Sequence, residues 1–181
     1  MQSNMKIKED HEKYLEFLKS RKSHRNFIFQ KIKKEIIQGI LDYARWAPSG
    51  QNTQPWKVCA VEHPTVKHML AENSKYGGII DSAYYNLVIF LDMEKGYDRV
   101  KDIQAIGAFI QNILLAIHAY GLGAVWIGEI LNKKEEINKI FKLNPEKFEL
   151  MGLVSIGIPD EPLEKKKERS RYPVDEFTDW F

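Results

Sequence analysis

The sequence predicts one layered domain in which helices and strands share a core, of the α/β or α+β class. Three observations carry this. Amphipathic stretches with apolar residues at helical spacing are interleaved, beyond residue 56, with short β-branched and aromatic runs. No internal repeat or low-complexity tract divides the 181 residues, a length that suits one domain of about 100–200 residues. A hydrophobic content of 44% is enough to bury a core and excludes global disorder.

Residues 9–20 read as a helix, with Tyr14, Phe17 and Leu18 on one face. A second helix runs from Ile32 to Trp46, where Ile32, Ile36, Ile37, Ile40, Leu41 and Ala44 keep the rhythm. Gln30-Lys31 caps it poorly, and Pro48 stops it by disfavouring helix in the preceding residue. Residues 48–55 form a polar loop, and Trp56 to Glu62 a strand. A short helix at 65–72 leads to a loop at 73–78, then to a buried strand from Tyr84 to Leu91.

The strongest helix covers 102–120, with Ile103, Ile106, Ile110, Ile113, Leu114 and Ile117 in register. Gly107 and Ala108 within it would let another helix approach closely, and Gly121 supplies the left-handed terminus. A strand at 124–127, a helix near 133–141 and a strand at 149–156 follow, closing on Gly157-Ile-Pro159. The tail from 160 to 181 is charged and ends in Phe177, Trp180 and Phe181, aromatics expected to pack against something.

Charge is near balance, 27 basic against 25 acidic residues for a net +2, so nothing points to a nucleic-acid partner. A lone Cys59 excludes a disulfide framework within the chain and fits a reducing, cytoplasmic setting. The N-terminus is polar, without the apolar core of a secretory signal. The apolar stretches 79–91 and 103–127 are both interrupted by polar residues, short of the roughly 18 apolar residues of a membrane span.

Resident chemistry is missing from the motifs. The sequence holds no Gly-x-Ser-x-Gly, HExxH, GxxxxGK[ST] or GxGxxG. The five histidines lack metal-ligand spacing, and Cys59 sits in a predicted strand as an inert thiol. An enzyme of this kind needs a borrowed cofactor, with no metal and no catalytic side chain of its own.

Four polar clusters remain. Arg21-Lys-Ser-His-Arg25-Asn-Phe27 offers cations and a hydroxyl suited to phosphate; the plain alternative is compensation of a helix dipole. Ala47-Pro-Ser-Gly-Gln-Asn-Thr-Gln-Pro-Trp56 offers amide and hydroxyl donors for a planar heterocycle, or is an ordinary loop. Gly121-Leu-Gly-Ala-Val-Trp-Ile-Gly128-Glu129 would bring backbone N–H groups near a ligand, or merely turn the chain. Lys165-Lys-Lys-Glu-Arg169-Ser-Arg171-Tyr-Pro173 is a basic run, by default a solvated linker.

In their order and spacing, from residue 21 to about 173, these clusters resemble the nitroreductase-like family of FMN-dependent oxidoreductases. The resemblance implies an α+β fold of three layers, α/β/α, with a central mixed, mainly antiparallel sheet flanked by helices. It implies that residues 1–181 form one domain and that 160–181 packs on the second subunit of a homodimer with FMN at the interface. By resemblance, Arg21 and Ser23 would hold phosphate or ribityl oxygens, Lys22 would contribute backbone, and Arg25 would lie near flavin N1. Pro48, Ser49, Gly50 and Asn52 would lie along the isoalloxazine, often from the partner subunit. Ile127, Gly128 and Glu129 would present backbone N–H groups to N5 and O4, and Arg169 and Arg171 would close on the phosphate. Asn73 is a further candidate for the ring.

The implied activity is ping-pong hydride transfer from NADH or NADPH, through the flavin, to a small-molecule acceptor such as a nitroaromatic or quinone. Gln30-Lys-Ile-Lys33 departs from the family's acidic-x-Pro-Val helix entry. The chain is also short for the family, so the helices that cover substrate in larger members are expected to be reduced. Two other readings differ by class: a flavin-storing protein without efficient turnover, and a cofactor-free module using the 165–171 run to meet an acidic partner.

Overall fold

A computed structural model describes residues 10–160, 162 and 169–181. The chain runs α1 (His11–Ser20), β1 (Phe27–Ile28), α2 (Lys34–Ala44), β2 (Trp56–Val61), α3 (Pro64–Ala71), α4 (Gly77–Ser82) and β3 (Tyr85–Asp92). It continues through α5 (Arg99–Ala119), β4 (Gly123–Ile127), α6 (Lys134–Phe141) and β5 (Phe148–Pro159).

β3 is buried along its whole length because both faces of the sheet are covered. Its partners are β2 on one side and β5 on the other, and β5 also pairs with β4 and, at its far end, with β1. The expected three-layer α+β architecture is present, and among the described residues every pairing is antiparallel, without the parallel pair that a mixed sheet would contain. Met151 is the extra residue of a bulge where Ile89 faces Gly152 and Phe90 faces Leu150. Gly152 is required there: its φ is +155° and a Cβ would press on Trp126.

Alternation along the strands divides the core in two. Leu87, Ile89, Leu91, Val154 and Ile156 face α2 and α5. Val88, Phe90, Leu150 and Leu153 face the side of α3, α4 and α6. α5 has nine buried residues, among them Ile106, Phe109, Ile110, Ile113 and Ile117, each worth about 1.5–3 kcal/mol of apolar burial. Phe109 stacks on Trp56 with ring centroids 4.6 Å apart. α5 is also the one described helix long and apolar enough to cross a membrane, and half of that stretch is buried within this molecule.

Buried polar side chains tie elements together through hydrogen bonds. Asn86 Nδ2 donates to Ile80 O and Ser155 Oγ donates to Asn86 Oδ1, tying α4 to the sheet. Buried Lys67 donates to the carbonyls of Asp81, in the last turn of α4, and Ala83, just after it.

Four places add to the expectations or depart from them. α4 falls where a loop was expected to end, because two glycines open a helix of only six residues. β1 is two residues long and has no period to read. Gly107 faces open space, with no described residue outside its own helix within 4 Å of a Cβ placed there. The terminal aromatics, expected to pack on a second subunit, are exposed in the single chain, Trp180 by 80%. The expected poor cap of α2 is present, since Lys33 makes no side-chain cap, and Gly121 ends α5 with φ +70°.

Candidate functional site

The run Arg21–Phe27 is laid beside the sheet by two glycines. Gly123 and Gly157 face each other across β4 and β5. A Cβ on Gly123 would strike His24, and one on Gly157 would strike the Phe27 ring. His24 N–H donates to Ala124 O at 2.9 Å, and Asp160 N–H to Asn26 O at 3.0 Å. Gly123 therefore serves chain packing, one of the plain roles that its glycine-rich turn left open.

Arg21 follows the C-terminus of α1, and Arg169 reaches back to the same turn. Its guanidinium donates to Arg21 O at 2.9 Å and to Ser20 O at 3.4 Å, satisfying carbonyls at the helix end. Arg21, Arg169 and Arg171 thus crowd together. Burial first, then repulsion from Arg169 and Arg171, pushes the Arg21 pKa down. An anion among three guanidiniums would relieve that repulsion, and their forked donors match phosphate oxygens. Ser23 is half-buried in the same run, while Lys22 and Arg25 are exposed. Residues 165–168 of the basic run lie outside the described residues.

His118, near the end of α5, pins this turn. Its Nε2 lies 2.8 Å from Ser20 Oγ, which donates to Phe17 O, and its ring packs on Phe17 at 5.0 Å. Sequence reasoning left His118 among the unremarkable histidines.

At the other end of β4, Ile127 is buried in the core, leaving only its backbone for a ligand. Gly128 is exposed, and a Cβ there would meet nothing within 4 Å. Glu129 accepts from Ser74 Oγ at 2.6 Å and from Lys75 N–H at 3.2 Å, which lowers its pKa and ties the 74–76 loop to this edge. Arg25 and Lys75 line a cleft of about 430 Å³ with Tyr76 and Asp160. Asn73 Nδ2 donates to Met69 O at 2.9 Å, closing its own helix. β4, five residues at about 3.3 Å each, covers roughly 16 Å, the scale of the phosphate-to-ring length of a flavin mononucleotide.

The Pro48–Asn52 loop is elsewhere. Gln51, Asn52 and Gln54 all hold positive φ, at 53°, 56° and 49°, which costs side-chain-bearing residues about 1–3 kcal/mol each. Ser49 Oγ accepts from Gln54 N–H at 3.0 Å, and Gln54 Nε2 reaches Asn52 O and Oδ1. Gly50 abuts Tyr97, just before α5, whereas the Arg21 turn is fastened to His118 at the helix's other end. Twenty-one residues at 1.5 Å rise separate the two by about 30 Å. The structure therefore brings Arg21, Ser23, Arg169 and Arg171 together, with Arg25 and 127–129 along one edge. It does not bring Pro48, Ser49, Gly50 and Asn52 to them within one chain.

The fold is that of the nitroreductase family. That family's model matches residues 18–76 and 64–158, and the chain belongs to it. A solved structure from Desulfovibrio desulfuricans, "a putative nitroreductase in complex with fmn", superposes with a TM-score of 0.85 and 34% identity, covering 92% of this chain and 96% of that one. YfhC of Bacillus subtilis, named "Putative NAD(P)H nitroreductase", is 31% identical over 185 residues, 91% of this chain and 92% of its own. The "CR(VI) reductase" of Pseudomonas sp. strain G-1 is 29% identical over 175 residues, 88% of this chain and 70% of its own.

Proposed function

We propose that this chain is an FMN-dependent NAD(P)H oxidoreductase that works as a homodimer and reduces a small organic acceptor such as a nitroaromatic or quinone. The observation that carries the reading is the convergence of Arg21, Arg169 and Arg171 one strand length from the uncovered backbone of Gly128. The flavin-bearing relative of the same fold supports the choice of ligand.

When bound, FMN accepts hydride from NADH or NADPH at N5 and delivers it to the acceptor, the two substrates using one face in turn. The chain's own task is binding and charge compensation. Arg21, Arg169 and Arg171, with Ser23 and the Lys22 backbone, hold the phosphate and ribityl oxygens. Arg25 offsets negative charge at the pyrimidine edge, which a guanidinium can do because it does not lose its proton. Gly128 and Glu129 offer backbone N–H groups to N5 and O4. Glu129 spends its carboxylate on Ser74 and Lys75, which leaves it a positioning role.

Pro48, Ser49, Gly50 and Asn52 would meet the ring from the partner subunit, since about 30 Å separates them from the phosphate cluster of their own chain. Exposed Tyr43 and Trp46, and the open surface at Gly107, fit burial by a second copy.

Arg21→Ala and Arg171→Ala should each weaken FMN retention by about 1–3 kcal/mol. Released flavin after exhaustive dialysis reads this. A double variant that stays fully loaded refutes the phosphate assignment.

A further inference from the structure

The short connection between β3 and α5 carries a feature that flavin binding does not use. Its one aromatic ring, Tyr97, is 42% exposed, although the backbone beneath it is tightly held. Buried Asp102 accepts from the backbone N–H groups of Tyr97 at 2.9 Å and Asp98 at 3.0 Å through the same oxygen. Asp98 caps α5 by accepting from Lys101 N–H at 3.0 Å, and the Lys101 ammonium stands over the Tyr97 ring at 5.1 Å. Gly96 packs on the Asp102 carboxylate, where a side chain has no room. The ring is thus an exposed aromatic on a braced support.

Its position gives it a use. The Tyr97 ring lies directly against Gly50, in the middle of the strained loop read as lining the isoalloxazine of the partner's flavin. A residue that travels with that loop stands at the edge of the flavin face that an acceptor must share.

We propose that Tyr97 is a specificity-determining residue, acting in the partner's site, whose ring forms one wall of the acceptor position and favours flat aromatic acceptors over aliphatic ones. This rests on the reading of Pro48–Asn52 as the flavin loop. The support is preorganised by Asp102 and Lys101, so little ordering is needed when a planar substrate stacks or meets the ring edge.

The test uses the FMN-loaded full chain and two amides that flavin does not reduce, 4-methylbenzamide and butanamide, titrated by their perturbation of the flavin absorption band. Tyr97→Leu should weaken 4-methylbenzamide by about 2- to 10-fold, the range for one aromatic contact, and leave butanamide unchanged. Tyr97→Phe should bind both as the parent does. In turnover, Tyr97→Leu should raise the KM for nitrobenzene by the same factor with kcat preserved, and leave the KM for an aliphatic acceptor, nitrobutane, unchanged.

Parent-like binding of 4-methylbenzamide by Tyr97→Leu overturns the proposal. Loss of FMN from Tyr97→Leu also overturns it, by making the ring a prop for the loop. Asn52→Ala separates the two readings. If it keeps parent FMN affinity, the loop assignment fails and this inference with it. If it loses FMN while Tyr97→Leu changes nothing, only the role of Tyr97 falls.

Discussion

At Arg21 two effects act in one direction: burial of the guanidinium and the nearness of Arg169 and Arg171 both lower its pKa. The same field reaches His118, whose pKa falls below its ordinary 6.5 through burial first and Arg21 second. The folded state therefore resists protonating His118 more than the unfolded chain does. The stability this contributes is complete above about pH 6.5 and declines as pH drops through 6.5 towards the folded pKa. Melting temperature followed between about pH 5 and 8 should fall on the acid side, and His118→Gln should flatten that limb. Identical slopes in parent and variant contradict this account of the Ser20–His118 contact. Single residues were legible in the sequence only where their type limits their chemistry. The Arg21 run suggested an anion beside a plainer helix-end role, and Arg169 read as linker until the order of the clusters was weighed, whereas His118 and Tyr97 owe their positions to tertiary contacts that no local pattern encodes.

Among elements, α5 and β3 were legible because each has a long, consistent period or an unbroken apolar run. α4 and β1 were not, being short and, for α4, glycine-led. Gly123 is a subtler case. Its glycine-rich turn left ligand approach and plain turn chemistry both open, and the room beside it is taken by His24. The C-terminal segment is the element whose role is most exposed to test. Arg169 fastens it to the α1 turn, and beyond that Tyr172, Phe177, Trp180 and Phe181 stand in solvent. We infer that these aromatics pack on a second subunit. Removing 174–181 should therefore shift the protein towards monomer in sedimentation and lower its flavin content together. A truncated chain that remains a fully flavinated dimer sinks the inference.

At the scale of the molecule, family membership and fold agree with the clusters that the sequence displays, and the geometry adds what their order alone did not carry. The guanidinium cluster and the strained loop occupy opposite ends of α5, so the proposed site, which uses both, calls for two copies. Sequence spacing contains no such distance, because it does not report which end of a helix a distant loop joins. The account stands or falls on bound flavin that nicotinamide reduces. The visible absorption spectrum of the purified protein, followed by anaerobic titration with NADH and then NADPH, measures both at once. The expected result is a yellow protein that releases stoichiometric FMN and is bleached by at least one nicotinamide. A yellow protein that neither bleaches would contradict the reductase and favour flavin storage. A colourless protein that takes up no added FMN would contradict the account entirely.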